Sequence, residues 1–124
     1  MSYFLDVDVE SWVREVLQSN ILTVVDFWHE RCPWCIMLNP IFEEVAREYK
    51  DRVKFVRFNV LKSPRNRDIA IKNGVMGTPT IAFYCGGRHL GSLVGFVPKD
   101  HLKHAIEDFM FRYRECVGRS TKLE

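Results

Sequence analysis

The feature that most constrains the fold is a run of apolar, β-branched residues followed closely by two cysteines. Thr23–Trp28 predicts a buried strand, and a helical pattern begins just after Cys32. The cysteines therefore lie where the carboxyl end of a strand meets the amino end of a helix. Free N–H groups and the positive end of the helix dipole favour thiolate over thiol there. Pro33 suits the first helical position, because a proline gives up an N–H that has no helical partner. We interpret the pair as a redox dithiol, with Cys32 the exposed attacking sulfur and Cys35 the shielded resolving sulfur.

The remaining pattern predicts alternating strands and helices. Strands are expected at Tyr3–Asp6, Ile21–Trp28, Val53–Val60, Thr80–Tyr84 and His89–Val94. The first helix is capped by Asp8, and its inward side carries Trp12, Val13, Val16 and Leu17. Further helices are expected at Pro33–Tyr49, at Pro64–Lys72 and from Pro98 onward. The pattern predicts an α/β fold, with a central mixed sheet of four to five strands flanked by helices on both faces.

Length and composition limit the possible classes. The 124 residues are enough for one domain over 1–124, and 47% hydrophobic and 27% charged residues are typical of a soluble globular protein. A net charge of +2 without a basic stripe argues against nucleic acid or a membrane surface as partner. No apolar run reaches the ~20 residues of a membrane helix, and the amino terminus lacks a signal pattern. We expect a cytoplasmic protein with a fraying tail over 112–124, of which 123–124 are a possible cloning scar.

Four motifs in order resemble the thioredoxin family. They are Val25-Asp26-Phe27-Trp28, Cys32-Pro-Trp-Cys35, Pro40 and Gly77-Thr78-Pro79-Thr80. The resemblance runs from about Asp8 to about Met110, nearly the whole chain. It implies the thioredoxin fold and a protein-disulfide oxidoreductase that works through a mixed disulfide without a cofactor. It also implies a cis bond before Pro79, with Thr78 offering its backbone to an extended substrate strand.

An acid in the central strand is a further candidate. Asp26 lies among apolar residues, and charged groups are rarely buried without partners. The alternative is a capped or salt-bridged structural aspartate. The resemblance instead implies that Asp26 moves the proton of Cys35, and burial raises the pKa of a carboxyl group toward neutrality. Arg57 stands where the family commonly has a lysine, and its charge should oppose the burial effect and favour ionised Asp26.

The residues around the cysteines depart from the family pattern. Arg31 replaces the usual tryptophan, and Pro33-Trp34 replaces the usual Gly-Pro. The Pro-aromatic pair is similar to glutaredoxin, so a glutathione-linked oxidoreductase is the alternative activity. The positive charge of Arg31 should stabilise a Cys32 thiolate and make the disulfide more oxidising than that of thioredoxin, which is at about −270 mV.

Substrate contacts are expected from residues near the cysteines and the proline loop. The resemblance points to Trp34, Met76, Gly77, Thr78, Gly95 and Phe96. The partners implied are protein disulfides and an electron donor, either a thioredoxin-reductase-type enzyme or glutathione. A monomer is the default expectation.

Other interpretations were weighed against the redox dithiol. A zinc site usually needs four ligands, and the sequence has no second Cys-x-x-Cys pair, so we expect no metal. A non-catalytic binding module on the same scaffold is the alternative from another class. Cys85, expected at an exposed hairpin end, and Cys116, expected to pack inward, are isolated in sequence, and a regulatory thiol at Cys85 is the less favoured interpretation. His101 and His104 are expected at the surface. His29 is also expected to be solvated, with electrostatic tuning of Cys32 as the alternative.

Overall fold

Five strands form one mixed sheet in the computed structural model, which describes residues 3–118. The strands are β1 (Leu5–Val7), β2 (Thr23–Trp28), β3 (Lys54–Asn59), β4 (Thr80–Cys85) and β5 (Arg88–Val94). Their spatial order is β1-β3-β2-β4-β5, which places β2 at the centre. Strand β3 is parallel to both β1 and β2, whereas β4 is antiparallel to β2 and β5. The expected mixed sheet flanked by helices is confirmed.

The helices follow the predicted order. They are α1 (Val9–Trp12), which continues as a π-helical turn (Val13–Leu17), α2 (Pro33–Glu48), α3 (Pro64–Lys72) and α4 (Lys99–Arg112), followed by a 3-10 turn (Arg114–Cys116). Asp8 caps α1 by accepting hydrogen bonds from the backbone N–H groups of Glu10 and Ser11. Ser63 caps α3 in the same way, through the N–H of Asn66. These caps satisfy N–H groups that have no partner within the helix.

The inward side of the first helix differs from the expectation. Trp12 and Val16 are buried, but Val13 is 50% exposed and Leu17 36% exposed. The reason is the π-helical turn, in which the N–H of Gln18 donates to the carbonyl of Val13 five residues earlier. A wider turn rotates the following side chains away from the 3.6-residue period on which the prediction was based.

The core has two parts, one on each face of the sheet. Alternation along β2 sends Val24 to one part and Val25 to the other. The first part includes buried residues of α2 and α4, such as Phe42 and Ile106, and the second includes Trp12 of α1. Helices therefore cover both faces, and the central strand β2 is held rigidly between them.

The segment after α4 contributes to the core. Its 3-10 turn packs Cys116, which is 5% exposed, among the buried residues. Fraying over 112–124 stays a prediction. Residues 119–124, including the possible cloning scar, lie outside the described residues. None of the helices between residues 3 and 118 has both the length and the apolar character required to cross a membrane.

Candidate active site

The two cysteines lie directly beyond the carboxyl end of the central strand. Cys32 is the N-cap residue of α2, and its sulfur accepts a hydrogen bond from the N–H of Cys35 at 3.1 Å. Pro33 occupies the first turn of the helix, as its ring geometry favours. The sulfurs of Cys32 and Cys35 are bonded to each other, so the structure represents the oxidised state. Cys32 is only 7% exposed, less than we expected of an attacking sulfur, but Cys35 is 0% exposed.

A histidine organises the turn before the dithiol. The ring Nδ1 of His29 accepts a hydrogen bond from the N–H of Arg31 at 3.2 Å, and the carbonyl of His29 accepts one from the N–H of Cys32 at 3.3 Å. The sequence offered no signal for this role, and we expected a solvated side chain. The side chain of Arg31 is exposed, next in sequence to the dithiol.

The proline loop is fixed by hydrogen bonds on both sides. The Thr78–Pro79 bond is cis, and the carbonyl of Pro79 accepts a hydrogen bond from the N–H of Gly95 at 2.8 Å. The hydroxyl of Thr80 donates to the carbonyl of Gly77 at 2.7 Å. Within residues 3–118, the backbone N–H and carbonyl groups of Thr78 make no hydrogen bond.

A shallow groove of about 370 Å³ brings together residues that are distant in sequence. It is lined by Trp34, Thr78, Pro79, Gly95 and Phe96. The rings of Trp34 and Phe96 lie with their centroids 5.8 Å apart, and Trp34 is 56% exposed. The lining of the groove is mostly apolar, and the groove is open to solvent.

Two further predicted residues lie on the other side of the loop. Met76 and Gly77 line a second hollow of about 450 Å³, together with Thr78 and His29. Met76 is 98% exposed. The exposed Leu61 and Ile71 also line this hollow, although the sequence predicts no role for either residue. Their helical and loop positions carried no pattern that separates a surface contact residue from an ordinary exposed apolar one.

Asp26 is fully buried in β2. Neither carboxylate oxygen has a hydrogen-bonding partner among residues 3–118. Arg57 is its direct neighbour in the parallel register with β3, and the Arg57 guanidinium lies over the ring of Trp28, 3.9 Å from its centroid. Burial raises the pKa of Asp26 to about 7, and the charge of Arg57 lowers it by less. Arg57 thus opposes the burial effect as expected, but burial is the larger of the two.

The other two cysteines are not isolated, contrary to our expectation. Cys85 is 8% exposed rather than solvated, and its sulfur is bonded to that of Cys116. The two cysteines are 31 residues apart, so the sequence did not predict that they pair. The fold brings the end of β4 beside the 3-10 turn. Among residues 3–118, the cluster of candidate metal-ligating side chains consists of these two cysteines and Glu115. His101 and His104 are exposed on α4 and do not belong to it.

Comparison with known proteins gives one consistent family. The family model "Thioredoxin" matches residues 4–108. Thioredoxin 1 of Nostoc sp. is 33% identical over 86% of this chain and 97% of its own length. Thioredoxin M-type, chloroplastic, of Chlamydomonas reinhardtii is 33% identical over 84% of this chain and 72% of its own length. The chain spans only half of Thioredoxin M4, chloroplastic, of Arabidopsis thaliana, which is 32% identical over 80% of this chain. With a family match over most of its residues and a half-cystine pair at the head of α2, the chain belongs to the thioredoxin family of thiol–disulfide oxidoreductases.

Proposed function

We propose that this protein reduces disulfide bonds of other proteins through the Cys32–Cys35 dithiol. The observation that carries the proposal is the position of the Cys32 sulfur at the amino end of α2, where it accepts the N–H of Cys35. A thiolate there gains from that N–H and from the helix dipole, and the thiolate is the attacking species. The alternatives weighed from the sequence, a glutaredoxin-like enzyme and a non-catalytic module, are not favoured by the comparisons.

The order of attack follows from accessibility. Cys32 is the more exposed sulfur, so its thiolate attacks one sulfur of the substrate disulfide, forms a mixed disulfide and expels the other substrate sulfur as thiolate. Cys35, buried beneath it, then loses its proton and attacks the Cys32 sulfur. The products are the Cys32–Cys35 disulfide and a substrate that has gained two electrons and, with two protons, carries two thiols.

Asp26 is proposed to accept the proton of Cys35. A carboxyl group must have a pKa near the working pH to take up and release a proton readily, and burial brings that of Asp26 to about 7. Arg57 is proposed to limit this rise and so keep the group able to ionise. Its guanidinium also stacks on Trp28, the aromatic residue that ends β2.

The substrate is proposed to bind as an extended strand across the proline loop. The unpaired backbone of Thr78 supplies hydrogen bonds, and Pro79 and Gly95 line the groove beside it. Trp34 and Phe96 provide apolar contact on one side, and Met76 and Gly77 provide it on the other. Pairing through the backbone accepts many sequences, which suits a reductase of several protein substrates.

Arg31 and the Pro33-Trp34 dipeptide are proposed to tune the redox potential. A fixed positive charge beside the sulfur stabilises the thiolate and hence the reduced form, so the disulfide becomes more oxidising. The dithiol would be recharged by a thioredoxin-reductase-type enzyme or by glutathione. We propose that the protein works as a monomer in the cytoplasm, since a reductase needs a reducing thiol pool. No cofactor or metal takes part in the proposed exchange.

Reduction of insulin with dithiothreitol as electron source tests the proposal. We expect precipitation of the insulin B chain to be accelerated by the protein, and the Cys32→Ser variant to lose this effect. The Cys85→Ala/Cys116→Ala variant is the matched control, because it removes two cysteines that lie outside the site. A wild-type rate no faster than dithiothreitol alone would contradict the proposal and favour a binding module.

A further inference from the structure

Cys85 and Cys116 form a second bonded pair that the dithiol mechanism does not use. Cys85 ends β4, and Cys116 lies in the 3-10 turn after α4. Their sulfurs are bonded, and their Cα atoms are 6.1 Å apart, within the usual span of about 4.4 to 6.8 Å for disulfides. The spacing of the two backbone positions is therefore compatible with a disulfide.

This pair lies at the opposite end of the sheet from Cys32 and Cys35. In the antiparallel register, Phe27 pairs with Thr80 and Thr23 pairs with Tyr84. The dithiol follows the end of β2 beside Thr80, whereas Cys85 follows Tyr84 at the other end. The five residue steps along β4 correspond to roughly 17 Å at about 3.4 Å each. Because exchange requires contact between sulfurs, neither pair can oxidise or reduce the other within one molecule.

The Cys85–Cys116 bond connects the segment after α4 to the end of β4. Hydrogen bonds also connect that segment to the residues just before β2 and β3. The carbonyl of Cys116 accepts a hydrogen bond from the N–H of Leu22, just before β2, at 2.6 Å. The N–H of Gly118 donates to the carbonyl of Arg52, shortly before β3, at 2.7 Å. A Cβ at position 118 would lie 2.7 Å from the carbonyl oxygen of Asp51, so the close approach requires glycine. We call residues 113–118 the terminal strap.

The sulfurs of Cys85 and Cys116 are largely covered while the terminal strap is docked, and an acidic side chain lies beside them. Cys85 is 8% exposed and Cys116 is 5% exposed. The carboxylate of Glu115 lies within 4.8 Å of both sulfurs, and its negative charge repels an incoming thiolate. The charge of Glu115 and the docked strap therefore hinder an incoming thiol, and opening of the strap makes the sulfurs easier to reach. A short turn with few hydrogen bonds can open without unfolding the whole sheet.

We propose that Cys85 and Cys116 are a second redox modification site. Their disulfide holds the terminal strap against the sheet, and reduction of the disulfide releases the strap.

A low-molecular-weight disulfide, such as oxidised glutathione, serves as the oxidant. The thiolate of one cysteine attacks it, forms a mixed disulfide and expels one thiolate. The second cysteine then attacks the protein sulfur and expels the other. Two protein thiols lose two electrons and two protons in total, and the oxidant becomes two thiols. The thermal stability of the protein thus depends on the redox state of its surroundings, independently of the dithiol.

The first experiment measures the reduction potentials of the Cys32–Cys35 and Cys85–Cys116 pairs separately. The full chain is equilibrated in glutathione or dithiothreitol buffers of graded potential, free thiols are alkylated, and the peptides are assigned by mass spectrometry. We expect two separate two-electron transitions, with Cys85–Cys116 reduced only in the more reducing buffers, because docking stabilises its disulfide. Free thiols at Cys85 and Cys116 in buffers that fully oxidise Cys32–Cys35 would overturn the proposal.

The second experiment measures how much the Cys85–Cys116 disulfide stabilises the folded protein. In the Cys32→Ser/Cys35→Ser variant, reduction should lower Tm by roughly 10 °C, since the bond closes a loop of about 30 residues. The Cys85→Ala/Cys116→Ala variant is the control. Any change in its Tm on reduction comes from the Cys32–Cys35 disulfide alone. Reduction should also speed cleavage by trypsin after Arg114, because the backbone of the released strap can enter the protease. A Tm change below about 2 °C, or stoichiometric zinc retained by the two cysteines and Glu115, would overturn the proposal. None of these readouts depends on insulin reduction, so failure here and failure of the proposed activity are distinguishable.

Discussion

Replacing Asp26 with asparagine should stabilise the protein at neutral and alkaline pH. Burial raises the pKa of this carboxyl group from 3.8 to about 7, so the folded protein keeps it protonated over a range in which the unfolded chain has already ionised it. Between these two values the folded state binds more protons than the unfolded state. The stability of the wild type therefore falls as pH rises through this window.

The size of the effect follows from the two pKa values. They differ by about 3 pH units, and each unit corresponds to ~1.4 kcal/mol, so ionised Asp26 costs about 4 kcal/mol above pH 7. An asparagine at this position would keep the shape and the unpaired polar atoms but carry no charge. We expect Asp26→Asn and the wild type to have similar stability near pH 4 and to diverge progressively up to pH 7.

Urea unfolding of the oxidised proteins from pH 4 to pH 9 measures this divergence. The control is Asp68→Asn on α3, whose exposed carboxylate stays in water in both the folded and the unfolded states. The control should follow the wild-type profile at every pH. A constant difference between Asp26→Asn and the wild type across the range would refute the argument that burial of an ionisable group sets the cost.

Three further changes test the roles of single residues. Arg31→Ala should lower the reduction potential of the Cys32–Cys35 pair by roughly 10 to 20 mV, measured in thiol–disulfide buffers, because an exposed charge contributes less than about 1 kcal/mol; an unchanged potential would exclude the proposed tuning. Trp34→Ala should raise KM for a protein disulfide roughly tenfold while exchange with dithiothreitol stays the same, because the ring contacts only large substrates; equal loss with both would contradict this. Gly87→Ala should lower the free energy of unfolding by roughly 2 to 3 kcal/mol, because its Cβ would lie 2.6 Å from the Leu17 carbonyl oxygen at a φ of +81°. Gly86→Ala is the control for Gly87→Ala: a Cβ there meets no atom within 4 Å, so it should cost only about 1 kcal/mol, with both variants measured by urea unfolding.

The sheet and most helices were predictable because local patterns and burial agree. The run Thr23–Trp28 was identified as a buried strand from its β-branched residues, and it is the central strand. The π-helical turn after Trp12 was not predictable. Trp12 packs against Phe27, Phe58 and Tyr84 at centroid distances of 5.9, 5.2 and 5.8 Å, and such tertiary contacts leave no periodic trace in Val13–Leu17.

The candidate site was partly predictable from motifs. The cysteines, Asp26 and the proline loop lie in recognisable stretches, and the structure places Trp34 and Phe96 in one groove with Pro79. The pairing of Cys85 with Cys116 could not be deduced, because cysteine spacing does not determine connectivity. The role of His29 was missed for a related reason, since its hydrogen bond depends on the turn geometry rather than on residue type.

Trapping the mixed disulfide tests the central claim most directly. In the Cys35→Ser variant, the Cys32 thiolate can attack a substrate disulfide but cannot be released by resolution. We predict that incubation with an oxidised protein substrate yields a stable one-to-one covalent complex through Cys32, visible by non-reducing electrophoresis and mass spectrometry. The Cys32→Ser variant should yield none. A complex formed through Cys35, or no complex with either variant, would contradict the assignment of Cys32 as the nucleophile.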